Sequence, residues 1–221
     1  MKLGGIHRLF PQLLPKTALV KTSEVDAGEW TFHPYLGIIQ RLRFWLILSL
    51  LPVRRFPKLL EVGYGSGILL PELSQYCDEL YGLDIHRNAS RVADRLRQHG
   101  IEAELLCGSA TTLPFKDKVL DLIIAVSCLE YMDPLENAVQ EIKRVLRPDG
   151  CLIFVTPGNS PVIDYLHDLL TGRKVKEHYA QRRDVLIPSF TRSFVVQQEL
   201  AIPPFGGRFM TLYRGFRLGV S

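Results

Sequence analysis

Three glycines, Gly63, Gly65 and Gly67, stand at every second position in residues 58–74 (KLLEVGYGSGILLPELS), and a carboxylate, Glu61, precedes the first by two. Glycine takes positive φ without penalty and lets a ligand approach the main chain where any Cβ would collide. At the start of a helix such a loop presents unpaired N–H groups and a partial positive charge, which suit a phosphate or a carboxylate. A second carboxylate, Asp84, follows 23 residues after Glu61 at the end of another apolar run, where it can accept hydrogen bonds from a ribose. The dinucleotide fingerprint needs G-x-G-x-x-G and the spacing here is G-x-G-x-G. No G-x-x-x-x-G-K followed by Ser or Thr occurs, so nothing is placed to hold a triphosphate and its metal.

Other reactive groups are scattered. The four cysteines, Cys77, Cys107, Cys128 and Cys151, show no C-x-x-C spacing and no compact framework. They read as packed thiols in a reduced, cytoplasmic setting. His, Asp and Glu form no short-spaced cluster, so no metal site is expected. Asp121 and the turn Pro148, Asp149, Gly150 read as structural.

The elements that must position the glycines and Asp84 follow from periodicity. Leu59, Leu60 and Val62 form a strand over about 58–62, and a helix restarts at 68–76 with Ile68, Leu69, Leu70 and Leu73. A short strand over 79–83 ends at Asp84, and a helix over 90–99 is stopped by Gly100. Strands at 102–106, 120–126 and 151–156 enclose a helix at 137–145. This alternation predicts a parallel sheet with helices on both faces, its strand C-termini along one edge where ligands bind. Beyond Pro157, helices are expected at 161–170 and 177–186, then strands at 193–199 and 208–213. Pro203, Pro204, Gly206 and Gly207 between those strands make the last return antiparallel.

Residues 1–57 form an N-terminal helical extension of the same domain, which then runs over 58–221. The extension is irregular to about Lys21 and helical after Pro34. With 221 residues, 47% apolar and 23% charged, the chain suits one α/β domain. The apolar run 44–53 (FWLILSLLPV) is too short to span a bilayer, which takes roughly 20 residues. It reads as a buried helix, with a greasy substrate wall or, given the flanking Arg41, Arg43, Arg54 and Arg55, a peripheral membrane contact left open. No secretory signal is expected from the Gly- and Pro-containing N-terminus. The net charge of +4 is uneven: residues 172–221 hold nine Lys and Arg against three Asp and Glu.

Four segments, in order, resemble the class I S-adenosylmethionine-dependent methyltransferases, in particular the small-molecule, type 11-like branch. They are EVGYGSG, LYGLDIH, LPFKDKVLDLIIAVSCLEYMDP and AVQEIKRVLRPDGCLIFVTPG, covering about residues 58–157. The resemblance implies a Rossmann-like, doubly wound, mostly parallel seven-stranded sheet with an antiparallel last strand. It implies that Gly63, Tyr64, Gly65 and Gly67 surround the methionine moiety of S-adenosylmethionine, with Glu61 supporting the loop and the ligand's amino end. Asp84 would take the ribose hydroxyls and Ile85 would pack on the adenine. Ser109 and Ala110 fall where the family usually has Asp-Ala reaching the adenine amino group, so serine replaces that acid. Ser127 and Leu129 would line the cofactor near its methyl.

The implied activity is methyl transfer to a small-molecule acceptor, apolar or anionic, mainly by positioning. A base is required only if the acceptor loses a proton at the transition state. Glu130, Tyr131 and His178 are the candidates, with His33 and Tyr35 of the extension as remoter ones. The family's Asp/Asn/Ser-Pro-Pro-aromatic motif of amino-methylating DNA enzymes is absent, and Cys128 lacks the preceding proline of the cytosine-C5 nucleophile. Both absences argue against those DNA-modifying enzymes, and nucleic acid is not the expected partner. The alternatives are an RNA or protein methyltransferase, suggested by the basic C-terminal part, and a non-catalytic binding module that keeps the fold. The acceptor atom and oligomeric state are not encoded in these motifs.

Overall fold

The computed structural model describes residues 11–23, 28–158, 177–205 and 210–220. Helix α1 (Leu36–Leu50) is followed by β1 (Phe56–Val62), α2 (Leu70–Leu73), β2 (Cys77–Asp84), α3 (Ala89–Gln98) and β3 (Glu104–Cys107). Next come β4 (Leu120–Val126), α4 (Leu135–Val145), β5 (Leu146–Pro157), α5 (Glu177–Ser193), β6 (Phe194–Ile202) and β7 (Tyr213–Val220). The seven strands lie in the order β3-β2-β1-β4-β5-β7-β6. All pairs from β3 to β5 are parallel, and β7 runs antiparallel to both β5 and β6. This is a doubly wound sheet whose order reverses between β1 and β4, the place where such sheets open a crevice at their strand C-termini.

The strands alternate between two cores, as a period of two requires. Leu59 of β1, Ile124 and Val126 of β4 and Tyr213 of β7 pack with Phe44, Ile47 and Leu48 of α1. Leu60 and Val62 face the other way, toward Ala138 and Ile142 of α4 and Phe190 of α5. There Phe154 stacks on Phe216 at 5.1 Å between ring centroids and meets Phe190 at a tilt at 5.4 Å. β4 is buried along its whole length, which explains its unbroken apolar sequence. The N-terminal stretch is tied to α2 by Gln12 N–H to Glu72 Oε2 (2.6 Å) and to the loop before it by Leu14 N–H to Ile68 O (3.0 Å).

Several boundaries differ from the periodicity. The helix expected at 68–76 is a single turn, with Pro71 in its first turn, continued by a 3-10 turn at Ser74–Tyr76. The Pro148-Asp149-Gly150 turn bulges out of β5, which pairs Leu146 with Leu120 and Cys151 with Leu122. The last strand is β7, not 208–213: Met210, Thr211 and Leu212 precede it, and Gly215 and Gly219 inside it masked the strand pattern. The helix expected at 161–170 lies outside the described residues. Among those residues no helix is long and apolar enough to cross a membrane.

Candidate active site

Strand ends on both sides of the reversal supply the site. β1 delivers Glu61 and the glycine loop, β2 delivers Asp84 and Ile85, β3 leads to Ser109 and Ala110, and β4 leads to Ser127 and the residues after it. Gly63, Gly65 and Gly67 have φ of +73°, +53° and +76°. A Cβ on Gly63 would stand 2.6 Å from Cys128 Cβ, and one on Gly67 2.9 Å from Val92 Cγ1. Conformation and space thus both demand glycine at these two positions. The loop is pinned by Gly63 N–H to Leu83 O (2.8 Å) and Gly67 N–H to Tyr64 O (2.8 Å).

Asp84 holds the loop itself: its Oδ2 accepts from Gly65 N–H at 2.8 Å, while Oδ1 takes only a long bond, 3.3 Å, from His86 N–H. His86 grips the other side of Gly65, its Nε2 donating to Gly65 O at 2.9 Å and its Nδ1 accepting from Asn88 N–H at 3.1 Å. That pair of bonds assigns the ring proton to Nε2. The ring also meets Tyr64 edge-on at 4.9 Å. His86 is therefore a positioning residue for the glycine loop. Within LYGLDIH nothing but its place two residues after Asp84 marks it in the sequence.

The electrostatics are dominated by buried acid. Glu61 is 3% exposed, and its Oε2 has no hydrogen-bond partner among the described residues. Burial and then the Asp84 charge push its carboxyl up to about 8, against the pull of Arg43 from α1. Glu61 consequently keeps a proton at neutral pH. Burial and Asp84 likewise raise the Tyr64 phenol, whose hydroxyl also lacks a partner among these residues. Cys128 fills the space under Gly63 and donates to Val62 O (3.1 Å). Burial, then Glu130, Asp84 and Glu61, hold its thiol well above the ordinary range, so it is a packed thiol and no nucleophile.

The remaining residues sort by exposure. Ile85 is 75% exposed beside Asp84, open to a flat apolar ligand. Ser109 Oγ and Thr111 Oγ1 share a 2.7 Å bond, and Ala110 is buried. Ser127 sits at φ +51° with its N–H on Val155 O (2.7 Å) and its Oγ buried without a partner among the described residues. Leu129 is buried in the core on the α4 side. Of the base candidates, Glu130 is buried and close enough to raise both the Cys128 thiol and the Tyr213 phenol, while Tyr131 is half exposed. His178 lies on α5, its side chain outside the described residues. His33 Nδ1 accepts from Tyr35 and Leu36 N–H, both at 3.3 Å, so it caps α1; Tyr35 is exposed.

Comparison with known proteins gives this geometry a setting. Residues 60–154 match the family described as "Methyltransferase domain". A malonyl-[acyl-carrier protein] O-methyltransferase of Enterobacter lignolyticus is 30% identical over 122 residues, which cover 53% of this chain and 46% of that protein. The chain thus spans less than half the length of that relative. Among solved structures, the N-methyltransferase NodS of Bradyrhizobium japonicum with S-adenosyl-L-homocysteine superposes with a TM-score of 0.64 at 15% identity, covering 90% of this chain and 94% of that one. The [4+2]-cyclase SpnF superposes at 0.62 with 18% identity, covering 81% and 80%. At these identities the structural likeness is one of fold.

Proposed function

We propose, from a chain whose residues 60–154 belong to the class I S-adenosylmethionine-dependent methyltransferases of the type 11 branch, that it moves a methyl group to a small-molecule acceptor. The observation that carries this reading is the acid-rich, phosphate-hostile cradle at the strand reversal. Glu61 is buried at the foot of the glycine loop, where a dinucleotide would bring its pyrophosphate, and α2, at one turn, is short for a phosphate-binding helix; Asp84 is placed for a ribose in either case. A ligand with two cationic centres and a ribose suits those acids; a pyrophosphate does not.

The residues present fit S-adenosylmethionine. The partnerless Glu61 oxygen is available to an ammonium group, and that interaction would draw the raised carboxyl back into its charged form. Asp84 Oδ1, committed only to a long bond, has lone pairs left for ribose hydroxyls. Ile85 offers its exposed side chain to the adenine, and the glycines leave room for the methionine moiety. The bound cofactor supplies an electrophilic methyl on a positively charged sulfur. This chain's part is to align and to exclude water, which can provide much of the acceleration. Where an acceptor must lose a proton, Glu130 and Tyr131 are the groups beside the β4 end. The match to a malonyl-[acyl-carrier protein] methyltransferase supports a small, carboxylate-bearing acceptor.

The test is transfer of tritiated methyl from S-adenosylmethionine to a panel of small carboxylates, amines and phenols, with RNA and protein in parallel. Label in the small-molecule fraction is expected. Label confined to RNA or to the amino-acid side chains of protein, as distinct from an acyl group carried on a protein, would overturn the acceptor class, and cofactor binding without transfer to any fraction would overturn the activity.

A further inference from the structure

We infer that Arg43, on α1 and outside the matched segment, binds the carboxylate of the cofactor's amino-acid end, so that Glu61 and Arg43 together recognise a zwitterion. This rests on the reading of the cradle as an S-adenosylmethionine site. The first support is which way β1 points its side chains. Leu59 packs with Phe44, Ile47 and Leu48 of α1, whereas Leu60 and Val62 pack on the opposite face. Alternation therefore sends Glu61 toward the face that α1 covers.

Arg43 precedes Phe44 on that helix, with its guanidinium carbon 4.9 Å from the centre of the Phe44 ring. Its Nε is buried and has no hydrogen-bond partner among the described residues, and the same is true of Glu61 Oε2. Those two atoms are therefore not bonded to each other, although the guanidinium charge acts on both Glu61 and Tyr213. A surface anchor, the role suggested by its place beside an apolar run, would leave Nε in water.

A buried guanidinium nitrogen and a buried carboxyl oxygen, each short of a partner, are costly to leave so. An α-amino acid resolves both at once, its ammonium on Glu61 and its carboxylate on the planar guanidinium, which matches a carboxylate fork to fork. On this view the N-terminal extension completes the cofactor site.

Calorimetry on the full chain tests this with three ligands: S-adenosylmethionine, its decarboxylated form, which keeps the amine, and 5′-methylthioadenosine, which lacks the whole amino-acid end. Arg43→Gln should weaken S-adenosylmethionine roughly 10- to 100-fold, as loss of a charge-assisted pair implies, and leave the other two within about twofold of wild type. Arg43→Met, which keeps the packing on Phe44, gives the same comparison should the glutamine variant fold poorly. Unchanged S-adenosylmethionine affinity, or equal weakening of all three ligands, would overturn the role. Wild-type protein that binds none of the three would overturn the cradle reading, and the inference with it.

Discussion

Glu61→Gln separates the cost of the site from its use. Glutamine keeps the volume and cannot ionise. In the unfolded chain Glu61 ionises near its ordinary 4.5, whereas in the fold it holds its proton to about 8. Its folded pKa is raised, so this carboxyl contributes no penalty below about pH 4.5. From there to pH 8 the unfolded state binds fewer protons, and stability falls as pH rises. At 1.36 kcal/mol per pH unit the loss is at most about 5 kcal/mol, and water penetration should reduce it to a few. Urea unfolding of both proteins at pH 5, 6.5 and 8 reads it directly. The variant should match wild type at pH 5 and exceed it by a few kcal/mol at pH 8, while losing the stabilisation that added S-adenosylhomocysteine gives wild type. A difference between the two proteins that stays constant across pH would refute the argument.

Gly63→Ala should abolish cofactor binding and cost about 1–3 kcal/mol by urea unfolding, because it combines positive φ with a contact against Cys128. Asp84→Asn retains an acceptor for Gly65 N–H, so the fold should hold with little change in Tm; its lost charge should weaken S-adenosylhomocysteine by calorimetry and shift the Glu61 stability transition to lower pH. Arg144 joins Glu141 and Asp117 to the carbonyls of Leu113 and Phe115, away from the crevice. Arg144→Ala should therefore destabilise by about 1–3 kcal/mol with the cofactor affinity unchanged. Phe190→Ala, which empties the buried face of α5 against Phe154, should cost about 3–5 kcal/mol.

What the sequence announced was what is local. β4 has the bounds its apolar run implies, and the glycine spacing and Asp84 fall on the strand ends where the alternation put them. The short α2 was misjudged because Leu70 and Leu73 satisfy helical spacing while Pro71 and the onset of β2 at Cys77 leave room for one turn. β7 was placed too early because its glycines look like a turn; Gly215 is small because a Cβ there would meet Leu50 of α1 at 2.8 Å. The roles of Arg43 and His86 were not legible, since each depends on an element distant in sequence: Arg43 on the face of β1, His86 on the carbonyl of Gly65. Ser109 departs from the family's acid, and here its hydroxyl is engaged with Thr111.

Everything proposed for this chain requires that the crevice between β1 and β4 hold S-adenosylmethionine and its thioether product, which share the ribose, the adenine and the amino-acid end. Calorimetric titration of the full chain with S-adenosylhomocysteine at pH 7, in two buffers of different ionisation enthalpy, tests it most directly. One site is predicted, with close to one proton released per ligand bound as Glu61 gives up the proton it keeps in the free protein. Absence of binding by folded protein would contradict it, and binding with no proton release would contradict the protonated state of Glu61 in the free protein.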